Sequence, residues 1–368
     1  MTGVDRRTLI AAAAATAVSP TLAAAAPETL RLFASGYAAE GGLGLTPIRF
    51  DPTTDRLTAE PPQAAIVNAS FGAYSSRFGL HYMLDEQTAG RLAAYGAGWT
   101  KQGEVETGGA DPCFVTLDAR QSCLAVANYS SGSVAVVRLD PATGRPLTAQ
   151  VVLHQGHGPN ASRQAGAHAH WVGFSPDQRW LHAVDLGADA IFAHPFDAEQ
   201  GRIAPGFVAY AAPAGSGPRH LVRHPHAARA YLVSELANTV TVLEPSPDGR
   251  FRALGAVSTL PQGFAGHSQA AGITIDAAGR RLYVSNRGHD SVAVFALDVA
   301  GAPSLIQHIA SGGDWPRFFL LIDAQRRLIT ANERSGDLAV FRIATDGRLE
   351  DTAQRLKVPG VAFLAQAS

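Results

Sequence analysis

Short apolar runs alternating with polar positions recur along the whole chain, and they return in pairs. In AHWVGFSPDQRWLHAVDL, PRHLVRHPHAARAYLVSEL and AAGITIDAAGRRLYVSNRG, which begin at Ala169, Pro218 and Ala270, a brief strand breaks at a polar turn and resumes as a second alternating strand. Period-two alternation around a turn rich in Pro, Asp, Gly or Arg predicts a β-hairpin. A third β-branched run follows, as in SGSVAVVRLD, NTVTVLEP, DSVAVFALD and GDLAVFRI. Helical periodicity is absent throughout.

The hairpin start recurs at Ala69-Ser70-Phe71, Pro112-Cys113-Phe114, Ala169-His170-Trp171, Pro218-Arg219-His220, Ala270-Ala271-Gly272, Pro316-Arg317-Phe318 and Pro359-Gly360-Val361, at intervals of 43 to 57 residues. Periods of roughly 40 to 50 residues with four short strands each predict a propeller. The seventh start has no room behind it before Ser368. The expected closure joins VPGVAF to RLFASGY and LTPIRFD in one blade, which removes the open sheet edge. The fold class is therefore all-β, a seven-bladed β-propeller closed by pairing of the N- and C-terminal strands. The longest interval holds HQGHGPNASRQAGAHAH, an insertion expected to cross one face of the disc, and long loops in compact folds tend to be functional.

Composition changes this picture little: among 368 residues, 46% are hydrophobic and 17% charged, with a formal net charge of −1. Such a balance gives no electrostatic case for nucleic acid. Residues 1–26 stand apart, since Arg6 and Arg7 precede an Ala-rich apolar run that ends at small residues. This pattern predicts a twin-arginine export signal ahead of a propeller spanning 27–368, and hence a periplasmic or secreted protein. The run is shorter than the roughly 20 residues of a membrane span. Cys113 and Cys123 fall on one hairpin where they need not face each other, and no Cys-x-x-Cys is present.

In a propeller, equivalent positions on successive inner strands form rings about the axis. The first ring is Ser70, Cys113, His170, Arg219, Ala271, Arg317 and Gly360. Sixteen residues further on lies a second, of Glu86, Tyr129, Leu186, Glu235, Arg287 and Glu333. Buried charges cost several kcal/mol unless paired, so a purely structural ring should be apolar. Arginines, glutamates and a histidine instead predict either inter-blade ion pairs or a cavity for an anionic or oxygen-rich small molecule. The H-x-H of His168 and His170 on an extended strand puts both imidazoles on one face, with His154, His157, His182 and His194 nearby in sequence. Without a carboxylate at ligand spacing a metal is not expected, and a neutral histidine beside a glutamate suits general-base work better. No nucleophile elbow or phosphate-binding loop is present, and no cofactor is expected.

The runs HGPNASRQAGAHAHWVGFSPDQRWLHAVDLGAD, GSGPRHLVRHPHAARAYLVSELANTVTVL, LYVSNRGHDSVAVF and GGDWPRFFLLIDAQRRLITANERSGDLAVFRI resemble the seven-bladed lactonase family. That family includes the propeller-type 6-phosphogluconolactonase and is similar to the fungal muconate-lactonising propeller. The resemblance implies hydrolysis of a small-molecule lactone in the funnel, with His170, Arg219, Glu235 and Arg287 as catalytic residues. His168, Arg317, Glu86 and Glu333 are expected to bind substrate. The alternatives are a cycloisomerase that makes or opens a lactone, and a non-catalytic binding propeller. Where the family reads A-A-E-I-R or A-A-D-I-H, this chain has Ala270-Ala271-Gly272-Ile273-Thr274, without the acidic and basic side chains.

Overall fold

The computed structural model describes residues 29–367, so the predicted export segment 1–26 and the boundary that follows it lie outside the described residues. Seven antiparallel sheets succeed one another around an axis. Blade one is built from Gly72–Ser75, Leu80–Asp85, Arg91–Tyr95 and Lys101–Glu106, and blades two to six repeat the pattern. Their innermost strands are Pro112–Leu117, Ala169–Phe174, Pro218–Arg223, Gln269–Ile275 and Pro316–Ile322. Blade seven has the order Val361–Gln366, Leu30–Gly36, Thr46–Asp51, Arg56–Ala59, which is the closure expected from the sequence. No α-helix occurs among the described residues.

The alternating residues bury one face of each blade against the next. Leu32, Ile48, Phe50, Val361 and Leu364 of blade seven, for instance, pack on Ile329, Leu338 and Val340 of blade six. The closure carries a polar pin as well. Asp55, fully buried at the outer edge of blade seven, pairs with Arg327 and with Arg342 Nη2 at 2.6 Å, both from blade six.

A second inter-blade device repeats four times. Tyr82, Tyr231 and Tyr283, on the second strands of blades one, four and five, donate their hydroxyls to the carbonyls of Gly144, Gly301 and Gly347 in the outer turn of the next blade, at 2.7, 2.8 and 3.0 Å. His182 takes this role in blade three, its Nε2 lying 2.9 Å from the Gly249 carbonyl. The acceptor residues all have φ between 71° and 86°, a region glycine enters without strain.

At the axis the hairpin ladders slip. Pairing passes from Pro112↔Asn128 to Phe114↔Ala127, from Ala169↔Asp185 to Trp171↔Val184, from Pro218↔Ser234 to His220↔Val233, and from Pro316↔Asn332 to Phe318↔Ala331. The residues left over are Cys113, His170, Arg219 and Arg317. Such β-bulges leave one residue out of the ladder and re-aim its side chain. In blade seven the leftover residue is Ala362, not the expected Gly360, which lies before the strand at φ 65°.

Because of the bulge, the residue after each ring position also faces inward. Phe71, Phe114, Trp171, His220, Phe318 and Phe363 meet across the axis, with centroid distances from 4.1 Å for Phe71–Phe114 to 5.9 Å for Phe71–Phe318. This aromatic layer plugs the central channel. The expected funnel therefore has an aromatic floor.

Candidate active site

Above the floor lies a cavity of about 640 Å³ lined by Tyr37, Glu86, Cys113, Tyr129, Arg163, His170, Glu235, Arg287, Arg317 and Glu333, with Glu40 at its rim. A second hollow of about 510 Å³ sits off the axis between blades seven and one. Its Arg49–Glu60 pair is exposed, whereas Glu235 and Arg287 of the central cavity are buried.

Glu235 sits just past the second strand of blade four and is the electrostatic centre of one wall. Its Oε2 lies 2.7 Å from Arg287 Nη2 and 3.2 Å from Arg219 Nε, and its Oε1 accepts from Arg163 Nη2 at 2.6 Å. Burial alone would raise its pKa, but Arg287, Arg219 and Arg163 together hold it down at about 2. Glu235 is therefore a fixed anion at neutral pH and a weak base. Arg219 retains only 3% side-chain exposure and does not line the cavity. Its Nη1 donates to the Ala271 carbonyl at 2.8 Å, so it backs Glu235 rather than facing a ligand. Arg287 does face the cavity and lies over Trp315.

His170 reaches the cavity from its bulge in blade three. Burial first, then the charges of Arg219 and Arg317, push its pKa well below the ordinary value, so the ring is neutral at pH 7. Its Nδ1 lies 3.8 Å from Cys113 Sγ, and among the described residues its Nε2 has no hydrogen-bond partner. The expected contact between His170 and Glu235 is absent among the described residues; the histidine packs edge-on against Tyr129 and His220 instead. Burial also raises the Cys113 thiol, which keeps it protonated.

His168 does not line the cavity. Its ring stacks on Tyr129 at 4.6 Å and its Nδ1 lies 3.0 Å from the Tyr129 carbonyl, so the two histidines flank one tyrosine and only His170 opens into the cup. Leu186 is covered completely, its carbonyl accepting from Gln164 of the insertion.

The opposite wall comes from blades six, seven and one. Arg317 Nη2 donates to the Tyr37 hydroxyl at 2.6 Å, and that hydroxyl donates to Glu86 Oε2 at 2.9 Å. Arg317 Nε lies 3.6 Å from Glu333 Oε2. Burial raises the pKa values of Tyr37 and Glu86. The structure thus gathers His170, Glu235, Arg287, Arg317, Glu86 and Glu333 around one space, places Arg219 behind it and leaves His168 outside.

Tyr37 and Arg163 escaped the sequence reading, as did Ala39, Glu40, Asn68 and Gln269. Tyr37 follows the first strand of the split blade, where no repeat marker falls. Arg163 belongs to the insertion, which does cross the face of the disc and is tied down by Gln164 and by His154, whose Nδ1 is 2.8 Å from Asp185 Oδ2. Three of the other histidines of that region have structural partners, His154 Nε2 meeting His194 Nε2 at 3.1 Å and His182 bonding Gly249, while His157 is exposed. Among the described residues no group of three His, Cys, Asp or Glu side chains is arranged to hold a metal ion, and no helix is long and apolar enough to cross a membrane. Cys113 and Cys123 are both buried and unbonded.

Comparison with known proteins places this geometry. Residues 31–365 match the family described as lactonase, 7-bladed beta-propeller. A 6-phosphogluconolactonase of Bacillus subtilis is 33% identical over 336 residues, covering 88% of this chain and 94% of its own length. Among solved structures, a periplasmic gluconolactonase of Pseudomonas aeruginosa superposes with a TM-score of 0.85 at 29% identity, covering 93% of this chain and 99% of the other. A putative 6-phosphogluconolactonase of Bacteroides fragilis gives 0.85 at 25% identity, over 94% of this chain and all of its own. The chain belongs to the seven-bladed β-propeller lactonase family.

Proposed function

We propose that this protein hydrolyses a sugar-derived lactone in the central cavity, with His170 as the general base. The observation that carries the reading is a neutral imidazole with a free Nε2 opening into the same cavity as Arg287 and the arginine-bound Glu235. In this mechanism His170 Nε2 takes a proton from water as its oxygen attacks the lactone carbonyl. Arg287, itself almost fully buried, faces the oxyanion that develops, and a fixed cationic donor counts for more there than in bulk water. Collapse breaks the ring carbon–oxygen bond, and the departing alkoxide recovers the proton from His170. The product is the open hydroxy acid. Glu235, ionised throughout, holds Arg287 and Arg219 in place and offsets their mutual repulsion.

The twin-arginine pattern of Arg6 and Arg7 supports export, so the proposed site of action is the periplasm. A relative described as periplasmic points the same way.

The test is acid release from aldonolactones in ¹⁸O-labelled water by purified protein. Hydrolysis above the spontaneous rate with one solvent oxygen in the product is expected. Ring opening without solvent oxygen would mean isomerisation, and a folded protein with no rate enhancement on any lactone would overturn the reading.

A further inference from the structure

The two walls of the cavity differ in kind. Blades three to five carry His170, Glu235 and Arg287, with the glutamate saturated by arginines. Blades six, seven and one carry Arg317, Tyr37, Glu86 and Glu333, and here acceptors outnumber donors. The hydroxyl of Tyr37 is spent on Glu86, and one arm of Arg317 is spent on Tyr37. Glu333 Oε2 is buried without a hydrogen bond among the described residues, and Glu86 and Glu333 both line the cavity. Carboxylate oxygens accept hydrogen bonds and donate none, so such a wall is complemented by hydroxyl groups. A phosphate monoester is the opposite kind of group: it brings about −1.5 to −2 charges and only acceptor oxygens at neutral pH. Against Glu86 and Glu333, with Glu40 at the rim, Arg317 is the one cation on this wall among the described residues, and it is already engaged.

We infer that this wall is a hydroxyl-binding subsite that makes the protein specific for unphosphorylated polyhydroxy lactones and their open acids, with Glu86 and Glu333 excluding ligands that carry a phosphate on the tail. The inference rests on the hydrolase reading for the placement of the lactone ring at His170. It adds which end of the substrate meets which wall and what that end must carry. Arg317 and Tyr37 act as positioning residues that hold the two carboxylates apart and aimed inward.

Two measurements separate the inference from the reading beneath it. Calorimetric binding of gluconate and of 6-phosphogluconate to the intact protein needs no turnover, and a preference for gluconate of tenfold or more is expected. The same preference is expected in kcat/KM for the two corresponding lactones. Glu333→Gln and Glu86→Gln keep an acceptor oxygen while removing a negative charge. Each should shrink the preference about tenfold, read both as the ratio of the two Kd values and as the ratio of kcat/KM for the two lactones. Tighter binding of 6-phosphogluconate by the wild type, an unchanged preference in both Gln variants, or no binding of either acid would overturn the subsite. Selective binding of gluconate without lactone turnover would retain the subsite and remove the hydrolase.

Discussion

Arg163 Nη2 donates to Glu235 Oε1 at 2.6 Å, so a residue from a surface insertion completes the pairing of a carboxylate buried at the propeller axis. The same Nη2 reaches the Tyr129 hydroxyl at 3.3 Å. Arg163→Ala should let the Glu235 pKa rise and free Glu235 Oε1 to compete for Arg287. The expected result is a loss in kcat/KM of about tenfold, since a single charge-assisted bond contributes about 1.5–3 kcal/mol and two arginines remain on Glu235. Lysine at 163 should recover part of it. Full activity in folded Arg163→Ala would show that the insertion merely covers the site.

His170 and Glu235 should fail in different ways. His170→Asn removes the base and should cut lactone hydrolysis a hundredfold or more, within the usual 10²–10⁴ range for general-base catalysis, at nearly unchanged thermal midpoint. Glu235→Gln breaks a buried ionic network, a change that costs about 3–5 kcal/mol in comparable pairs, so melting should fall along with rate. Near-wild-type turnover in folded His170→Asn would end its role as base. The rate on the acid side should follow the protonation of His170, falling only below the ordinary histidine range because burial and Arg219 depress that pKa.

Blade number and closure were legible because each blade reports itself through a hairpin of period-two strands, and the missing tail of the last unit points to the first. The ring positions were legible for the same reason except in blade seven, where Ala362 and not Gly360 leaves the ladder. What alternation conceals is the bulge: in a regular strand neighbouring side chains face opposite ways, so His170 at the axis argues against Trp171 there, yet the slipped ladder turns both inward. The aromatic floor was hidden by that rule. Arg219 was placed correctly about the axis, but whether a side chain lines the cavity or stands behind another depends on depth, and repeat spacing carries no depth. Tyr37 and Arg163 come from loops outside the repeat, where no periodicity can speak.

His182 occupies the position that Tyr82, Tyr231 and Tyr283 fill in three other blades. Burial, then Arg223, lowers its pKa to about 4, and burial, then His154, lowers that of His194 to about 4. An unfolded chain protonates these rings near pH 6.5 while the folded one does not until about 4, so the unfolded state binds more protons in between. Stability should therefore be complete above pH 6.5 and fall as pH drops toward 4. His182→Tyr keeps a donor for Gly249 and removes one titrating group, so its thermal midpoint should decline less between pH 7.5 and 5. An equal decline in both proteins would exclude His182 as a source of acid sensitivity.

Replacing Arg6 and Arg7 with lysine should strand full-length protein in the cytoplasm of an expressing bacterium. Mature-length protein in the periplasmic fraction of that variant would refute the twin-arginine route.

Closure of the ring makes the sharpest claim on stability. The strand Val361–Gln366 pairs antiparallel with Leu30–Gly36 apart from the bulge at Ala362, and its Phe363 belongs both to the core of blades seven and one and to the floor beneath the cavity. Deleting residues 358–368 removes the innermost strand of one blade, exposes the edge of Leu30–Gly36 and opens the floor, so the thermal midpoint should collapse or the protein should aggregate. A milder variant keeps the test informative when the truncation fails to fold. Phe363→Ala leaves the ladder intact and should cost about 3–5 kcal/mol as a buried large-to-small change. It should also lower lactone hydrolysis, because water entering from below weakens every charge interaction around Glu235. Asp55→Asn acts on the same closure from the rim and leaves Arg327 and Arg342 without their shared carboxylate. It should lower the midpoint while sparing the rate of the folded fraction. Unchanged melting in both the truncation and Phe363→Ala would mean that the ring is not held shut by this strand.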